Sequence, residues 1–77
     1  MPALIPVADK AVVAVVVAPW GDVYVDGEMQ GTASPRLRLT LEPGRHRVEI
    51  RNGRYPPQLI DIAVKAGETR TLNYRFE

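Results

Sequence analysis

Apolar residues recur at every second position in short bursts along this chain, and glycine or proline separates one burst from the next. No window carries an apolar period of 3.6 residues, so the pattern predicts strands and no helix. Residues 11–17 hold five valines and read as a strand that is central in its sheet or buried on both faces, ended by Pro19 and Gly21. In residues 22–26, Val23 and Val25 share one face and Tyr24 takes the other. Asp26-Gly27 then signals a turn, and residues 28–32 return as the second arm of a hairpin that Thr32-Ala33-Ser34-Pro35 breaks.

The clearest alternation lies in residues 36–41 and 45–51, which flank Glu42-Pro43-Gly44-Arg45, a sequence suited to a type II turn. The spacing predicts a hairpin with Leu41 opposite His46, Leu39 opposite Val48 and Leu37 opposite Ile50 on one face. Thr40 then meets Arg47 and Arg38 meets Glu49 on the other, so one register suits both faces. Asn52-Gly53 and Pro56-Pro57 follow as a turn and a stiff connection. Ile60, Ile62 and Val64 make a further strand. After a turn at 65–68, Leu72, Tyr74 and Phe76 share a face opposite Thr71, Asn73 and Arg75. Six or seven short strands at this spacing predict an all-β fold, a small antiparallel β-sandwich. Residues 1–10, with Pro2 and Pro6 and no alternation, read as a flexible lead-in or linker to a domain over 11–77.

A chain of 77 residues makes one domain with a thin core, burying about 60% of the surface its unfolded form exposes. It has no cysteine and one histidine, which excludes a disulfide framework, a thiolate site and a His-rich metal cluster. Its glycines stand singly between strands, so no phosphate loop or dinucleotide fingerprint exists and no cofactor is expected. A net charge of +1 does not point to nucleic acid as a partner. The longest apolar stretch, 11–20, is about half of what a membrane-spanning helix needs, and residues 1–7 lack the basic start of a secretory signal.

His46 is the natural candidate for acid–base chemistry, yet no Gly-x-Ser-x-Gly or similar setting surrounds Ser34, Thr32 or Thr40. Alternation turns His46 inward beside Leu41, so the expectation is a packing histidine and no enzyme. A catalytic role would need a cleft that brings it within hydrogen-bond reach of a hydroxyl or carboxylate, and none is expected. Asp22, Asp26 and Glu28 are too few for a calcium site, and Asp26-Gly27 reads as turn chemistry, so no metal is expected.

Eight of the ten basic residues are arginine, the side chain suited to bidentate recognition of carboxylate or phosphate. The predicted hairpin gathers Arg36, Arg38, Arg45, Arg47 and Arg51 on one outward face, interrupted by Glu49. Such a face is either solvated and guarded against edge pairing, or a docking surface for acidic protein, phospholipid headgroups or cell-wall polymer. Arg36 opposite Arg51 favours the second, because facing like charges are costly without a partner. Trp20, between Pro19 and Gly21, reads as core packing, with a sugar-stacking platform as the sharper alternative; Tyr24 carries the same ambiguity. Tyr55 reads as a plug for one end of the sandwich.

The ordered set Pro19-Trp20-Gly21-Asp22-Val23-Tyr24-Val25-Asp26-Gly27, then Gly31, Pro35, Pro43-Gly44-Arg45-His46-Arg47-Val48, Gly53-Arg54-Tyr55 and Gly67-Glu68-Thr69 resembles the PEGA domain family over about residues 11–77. Pro19-Trp20-Gly21-Asp22 stands where the family has Pro-Glu-Gly-Ala, and the family's Thr-Pro is stretched into Thr32-Ala33-Ser34-Pro35. The Pro-Trp-Gly version with a later Pro56-Pro57 looks like the form at the C-terminus of some bacterial serine/threonine protein kinases. The resemblance implies a β-sandwich module without catalysis of its own, appended to an envelope, surface or signalling protein on the extracytoplasmic side of a membrane. It implies a protein or cell-envelope component as partner, with Arg36, Arg38, Arg47, Arg51, Trp20 and Tyr24 as candidate contacts from the residue reading above. Carbohydrate binding through Trp20, or a purely structural spacer, is the alternative. The matching glycines and prolines imply turn geometry and no binding site.

Overall fold

Val13, Val15 and Val17 are fully buried while Val12, Ala14 and Val16 are half-buried, so the valine-rich segment forms a strand with one face in the core. This strand, β1 (Ala11–Ala18), runs through the middle of a three-stranded sheet; it is central, but only one face is closed over. The computed structural model describes residues 10–76, and the expected lead-in falls almost wholly on residues 1–9, outside the described residues.

Six more strands follow: β2 (Gly21–Val25), β3 (Glu28–Ala33), β4 (Arg36–Leu41), β5 (Gly44–Arg51), β6 (Gln58–Val64) and β7 (Thr69–Arg75). No helix is present among the described residues, and none therefore is long and apolar enough to cross a membrane. The strands form two sheets, ordered β4-β1-β7 and β3-β2-β5-β6. Alternating residues from both sheets meet in one core, with Val13, Val15, Leu39 and Leu41 on one side and Val23, Val48, Ile50 and Ile62 on the other. Burying each valine or leucine contributes about 1.5–3 kcal/mol, which is how a chain this short holds two layers together.

The predicted hairpin of residues 36–51 does not form. β4 pairs antiparallel with β1, Leu39 opposite Val13 and Leu37 opposite Val15, while β5 pairs with β2 and β6 in the other sheet. The chain crosses between sheets in the two residues Glu42 and Pro43, and Gly44 takes φ 128°, a conformation that favours glycine. The leucines of β4 thus enter the core from the sheet opposite Val48 and Ile50, with Leu37 against Gly31 of β3. Alternation specifies which face is apolar and not whether the apolar partner lies beside or opposite, so both arrangements satisfy it.

One strand pair departs from an antiparallel sandwich. β7 crosses from the second sheet and runs parallel to β1, Val15 opposite Leu72, which is feasible because most of the chain lies between the two strands. The β2–β3 hairpin forms as expected, with Asp26 at φ 52° and Gly27 at φ 88°, both positive as an Asp-Gly hairpin turn prefers. β3 carries an irregularity opposite Val23 and Tyr24, on an exposed edge of its sheet.

Candidate functional site

Splitting β4 from β5 divides the arginines between two outward faces. On the four-stranded face, Arg45, Arg47 and Arg51 of β5 share the surface with Asp22 of β2, Glu49 of β5 and Asp61 of β6. Arg47 Nε donates to Asp61 Oδ1 at 3.0 Å, and Arg51 Nε donates to Glu49. Arg51 also lies over the Tyr24 ring, its guanidinium carbon 4.3 Å from the centroid. Asp22 Oδ1 accepts from the Thr32 hydroxyl at 2.6 Å. Arg47 and Arg51 are therefore matched to carboxylates on this face, while Arg45 makes no ion pair among the described residues. Both arginines of these two ion pairs have their pKa raised, chiefly by the hydrogen bond to the carboxylate.

The three-stranded face is different. Val12, Ala14, Val16 and Ala18 of β1 form a half-buried stripe down its centre. Arg36, Arg38 and Thr40 flank the stripe on β4, opposite Val16, Ala14 and Val12. Thr69, Thr71, Asn73 and Arg75 flank it on β7. Arg36 therefore does not oppose Arg51, whose partner across the ladder is Asp22, and the like-charge argument drawn from the hairpin falls with it. Sequence reasoning assigned Arg36 and Arg38 to an exposed face correctly. It missed their neighbours on β7, because the alternation of Thr71, Asn73 and Arg75 is visible but the strand beside them is not.

Trp20 is 38% exposed, contrary to the expectation of core packing. The end of the core beside it is filled by Tyr55 and Phe76, stacked with centroids 5.1 Å apart, and by Tyr74 edge-on to Phe76 at 4.9 Å. Tyr55 is thus the plug the sequence suggested, and the indole is left outside. Beneath it Asn52 is buried: its Nδ2 donates to the Trp20 carbonyl at 3.3 Å and its Oδ1 accepts from Arg54 N at 3.2 Å. The sequence marked Asn52 only as a turn residue.

His46 does face inward on β5, opposite Ile62, but it meets a carboxylate, which overturns the expectation that none would be in reach. The β2–β3 turn folds over the start of β5, where Asp26 N donates to the Arg47 carbonyl at 2.8 Å and Arg47 N donates back to Asp26 Oδ1 at 2.9 Å. That exchange leaves Asp26 Oδ2 at 2.7 Å from His46 Nδ1. Nε2 lies 2.6 Å from the Glu42 carbonyl. Both neighbours only accept, so the ring satisfies both as an imidazolium, Nδ1–H and Nε2–H each donating. Accordingly the hydrogen bond to Asp26, then that to Glu42, raises the His46 pKa. The backbone hydrogen bond from Arg47, then that from His46, lowers the pKa of Asp26.

A shallow depression lined by Arg45, His46, Arg47, Asp61, Ile62 and Ala63 opens beside this pair. Both imidazole nitrogens are hydrogen-bonded, and the arrangement clamps the β2–β3 turn onto β5. No three His, Cys, Asp or Glu side chains converge as metal ligands among the described residues, and the carboxylates of Asp22 and Asp26 are taken by Thr32, His46 and Arg47.

Comparison with the curated proteins returned no match. A family model for the PEGA domain matches residues 13–77, a span that begins inside β1 and takes in all the strands after it. The two-sheet fold, the Asp26-Gly27 turn and the inter-sheet corner at Pro43-Gly44 all lie within that span, and the chain belongs to the PEGA domain family.

Proposed function

We propose that this domain is a non-catalytic interaction module that binds a protein or cell-envelope component. Its parent on this reading is a bacterial envelope-associated protein, a serine/threonine kinase foremost, with the domain as C-terminal accessory on the extracytoplasmic side of the membrane. Membership of a family of small non-catalytic domains supports the accessory role. The form of the Pro19-Trp20-Gly21 turn with Pro56-Pro57 supports the kinase as parent. One observation carries the reading: the lone imidazole is bonded at both nitrogens, while an exposed indole and arginines without an ion pair among the described residues stand on the surface. Groups that react are occupied, and groups that recognise are free.

The test is the full gene product. A kinase domain followed by an apolar span of about 20 residues upstream of this domain is expected, and a gene encoding the β-domain with no partner domain contradicts the accessory role. The exposure of Trp20 favours a second reading, carbohydrate binding, over a purely structural spacer. Titration with peptidoglycan fragments while following Trp20 fluorescence separates them. A saturable change lost in Trp20→Ala supports the sugar reading, and a flat response removes it.

A further inference from the structure

We propose that the outer face of the three-stranded sheet docks an extended acidic polypeptide segment, its carboxylates on Arg36 and Arg38 and its apolar side chains on the valine–alanine stripe of β1. This rests on the interaction-module reading and assigns it a surface and a ligand chemistry.

Charge distribution singles out this face. Arg36, Arg38 and Arg75 are exposed and make no ion pair or side-chain hydrogen bond among the described residues. No carboxylate stands among the described residues of β4, β1 and β7 that face outward there. Glu42, beyond the end of β4, is already held by Lys10 at 3.6 Å. The opposite face is built differently: there Asp61 and Glu49 answer Arg47 and Arg51, and of the β5 arginines only Arg45 makes no ion pair among the described residues. A net charge of +1 for the chain thus hides a concentration of positive charge on one side.

Shape points to an extended segment. The stripe follows β1 for eight residues, roughly 26 Å at 3.3 Å per residue, and is one strand wide. Arg36 and Arg38 are two residues apart on β4, so about 6.6 Å separates their bases, close to the spacing of same-side residues on a β-strand. An extended chain alternating acidic and apolar residues matches both. Guanidinium forks bind carboxylate in pairs of hydrogen bonds, and the Thr69, Thr71 and Asn73 side chains supply further polar contacts on the far flank. A membrane fits less well, since the apolar groups are half-buried Val and Ala, the outward residues of the described strands include no aromatic residue or lysine to seat at a headgroup layer, and Lys10 before β1 is paired with Glu42. Lack of an aromatic platform also disfavours single-stranded nucleic acid.

The test uses the 15N-labelled chain, a short peptide of alternating glutamate and valine, its glutamine–valine counterpart, and phosphatidylglycerol vesicles. Saturable amide shifts along residues 12–18 and at Asn73 with the glutamate peptide alone are expected. Arg38→Glu and Arg45→Glu change the net charge equally but lie on opposite faces. The first weakens binding roughly tenfold and the second less than about twofold, while Arg36→Gln/Arg38→Gln checks the loss without reversing charge. Each variant is scored only with an amide spectrum as dispersed as the parent's. Equal losses in the two single variants, shifts centred on β5 and β6, equal binding of the glutamine peptide, or vesicle binding without peptide binding overturns the proposal. No binding of any probe also overturns it, and the gene-context test of the accessory role remains separate from all these outcomes.

Discussion

A Cβ on Gly21 would come 2.7 Å from Ile50 Cγ2 and 3.0 Å from Val17 Cγ1, so the residue that opens β2 is a glycine for want of room between the two sheets. Gly21→Ala is expected to destabilise the domain by roughly 1–3 kcal/mol through overpacking, seen as a lower urea midpoint at unchanged slope. An unchanged midpoint would mean that the sheets part easily here. Asn52 is the opposite case, a polar side chain drawn inside. Asn52→Ala leaves the Trp20 carbonyl and Arg54 N–H without this partner and is expected to cost about 1–3 kcal/mol. A shift in Trp20 emission in the folded variant is expected with it. Neither role is visible in sequence: Gly21 and Asn52 both read as punctuation, because what surrounds a turn residue depends on segments distant in sequence, Ile50 for Gly21 and Trp20 for Asn52. Trp20 misled for the same reason, since its size argues for burial while Tyr55 and Phe76 already fill the space.

Strand by strand, the reading from sequence holds where the property is local. The inward sets Ile60, Ile62, Val64 and Leu72, Tyr74, Phe76 follow from period two alone, and the Asp26-Gly27 turn follows from its own φ requirement. Partner choice is not local, and there the reading fails, most plainly at β4. The docking of the β2–β3 turn onto β5 is likewise non-local and has a titration signature. His46 has a raised pKa, so the folded state holds its proton more tightly than the unfolded chain. Its contribution is complete below the ordinary value of 6.5 and is lost as pH rises through the folded value. Asp26 is lowered, so its contribution is complete above its ordinary value of 3.8 and is lost as pH falls through the folded one. Stability is expected to plateau between these ranges and to decline from about pH 6.5 upward. In urea melts across this range His46→Gln flattens the decline, and an equal slope in the variant would mean that the imidazolium clamp is not its source.

At the scale of the whole molecule, two sheets create two outer faces of unlike character, one on which Asp61 and Glu49 pair with Arg47 and Arg51 and one with guanidinium groups beside an apolar stripe and no carboxylate on its described strands. Sequence alone counts eight arginines and yields a nearly neutral balance; only topology shows that Arg36 and Arg38 face away from Arg47 and Arg51. Raising salt is expected to change the urea midpoint little, because the ion pairs on the four-stranded face are exposed and individually weak, while it weakens binding of an acidic segment on the three-stranded face. Each of these functional statements requires residues 36–41 to lie in a different sheet from residues 44–51. Nuclear Overhauser contacts between backbone protons measure that directly. Backbone contacts that join Val13 to Leu39 and Val15 to both Leu37 and Leu72 are expected, with none from Leu39 to Val48. A ladder of backbone contacts linking Leu41 to His46 and Leu39 to Val48 would contradict it.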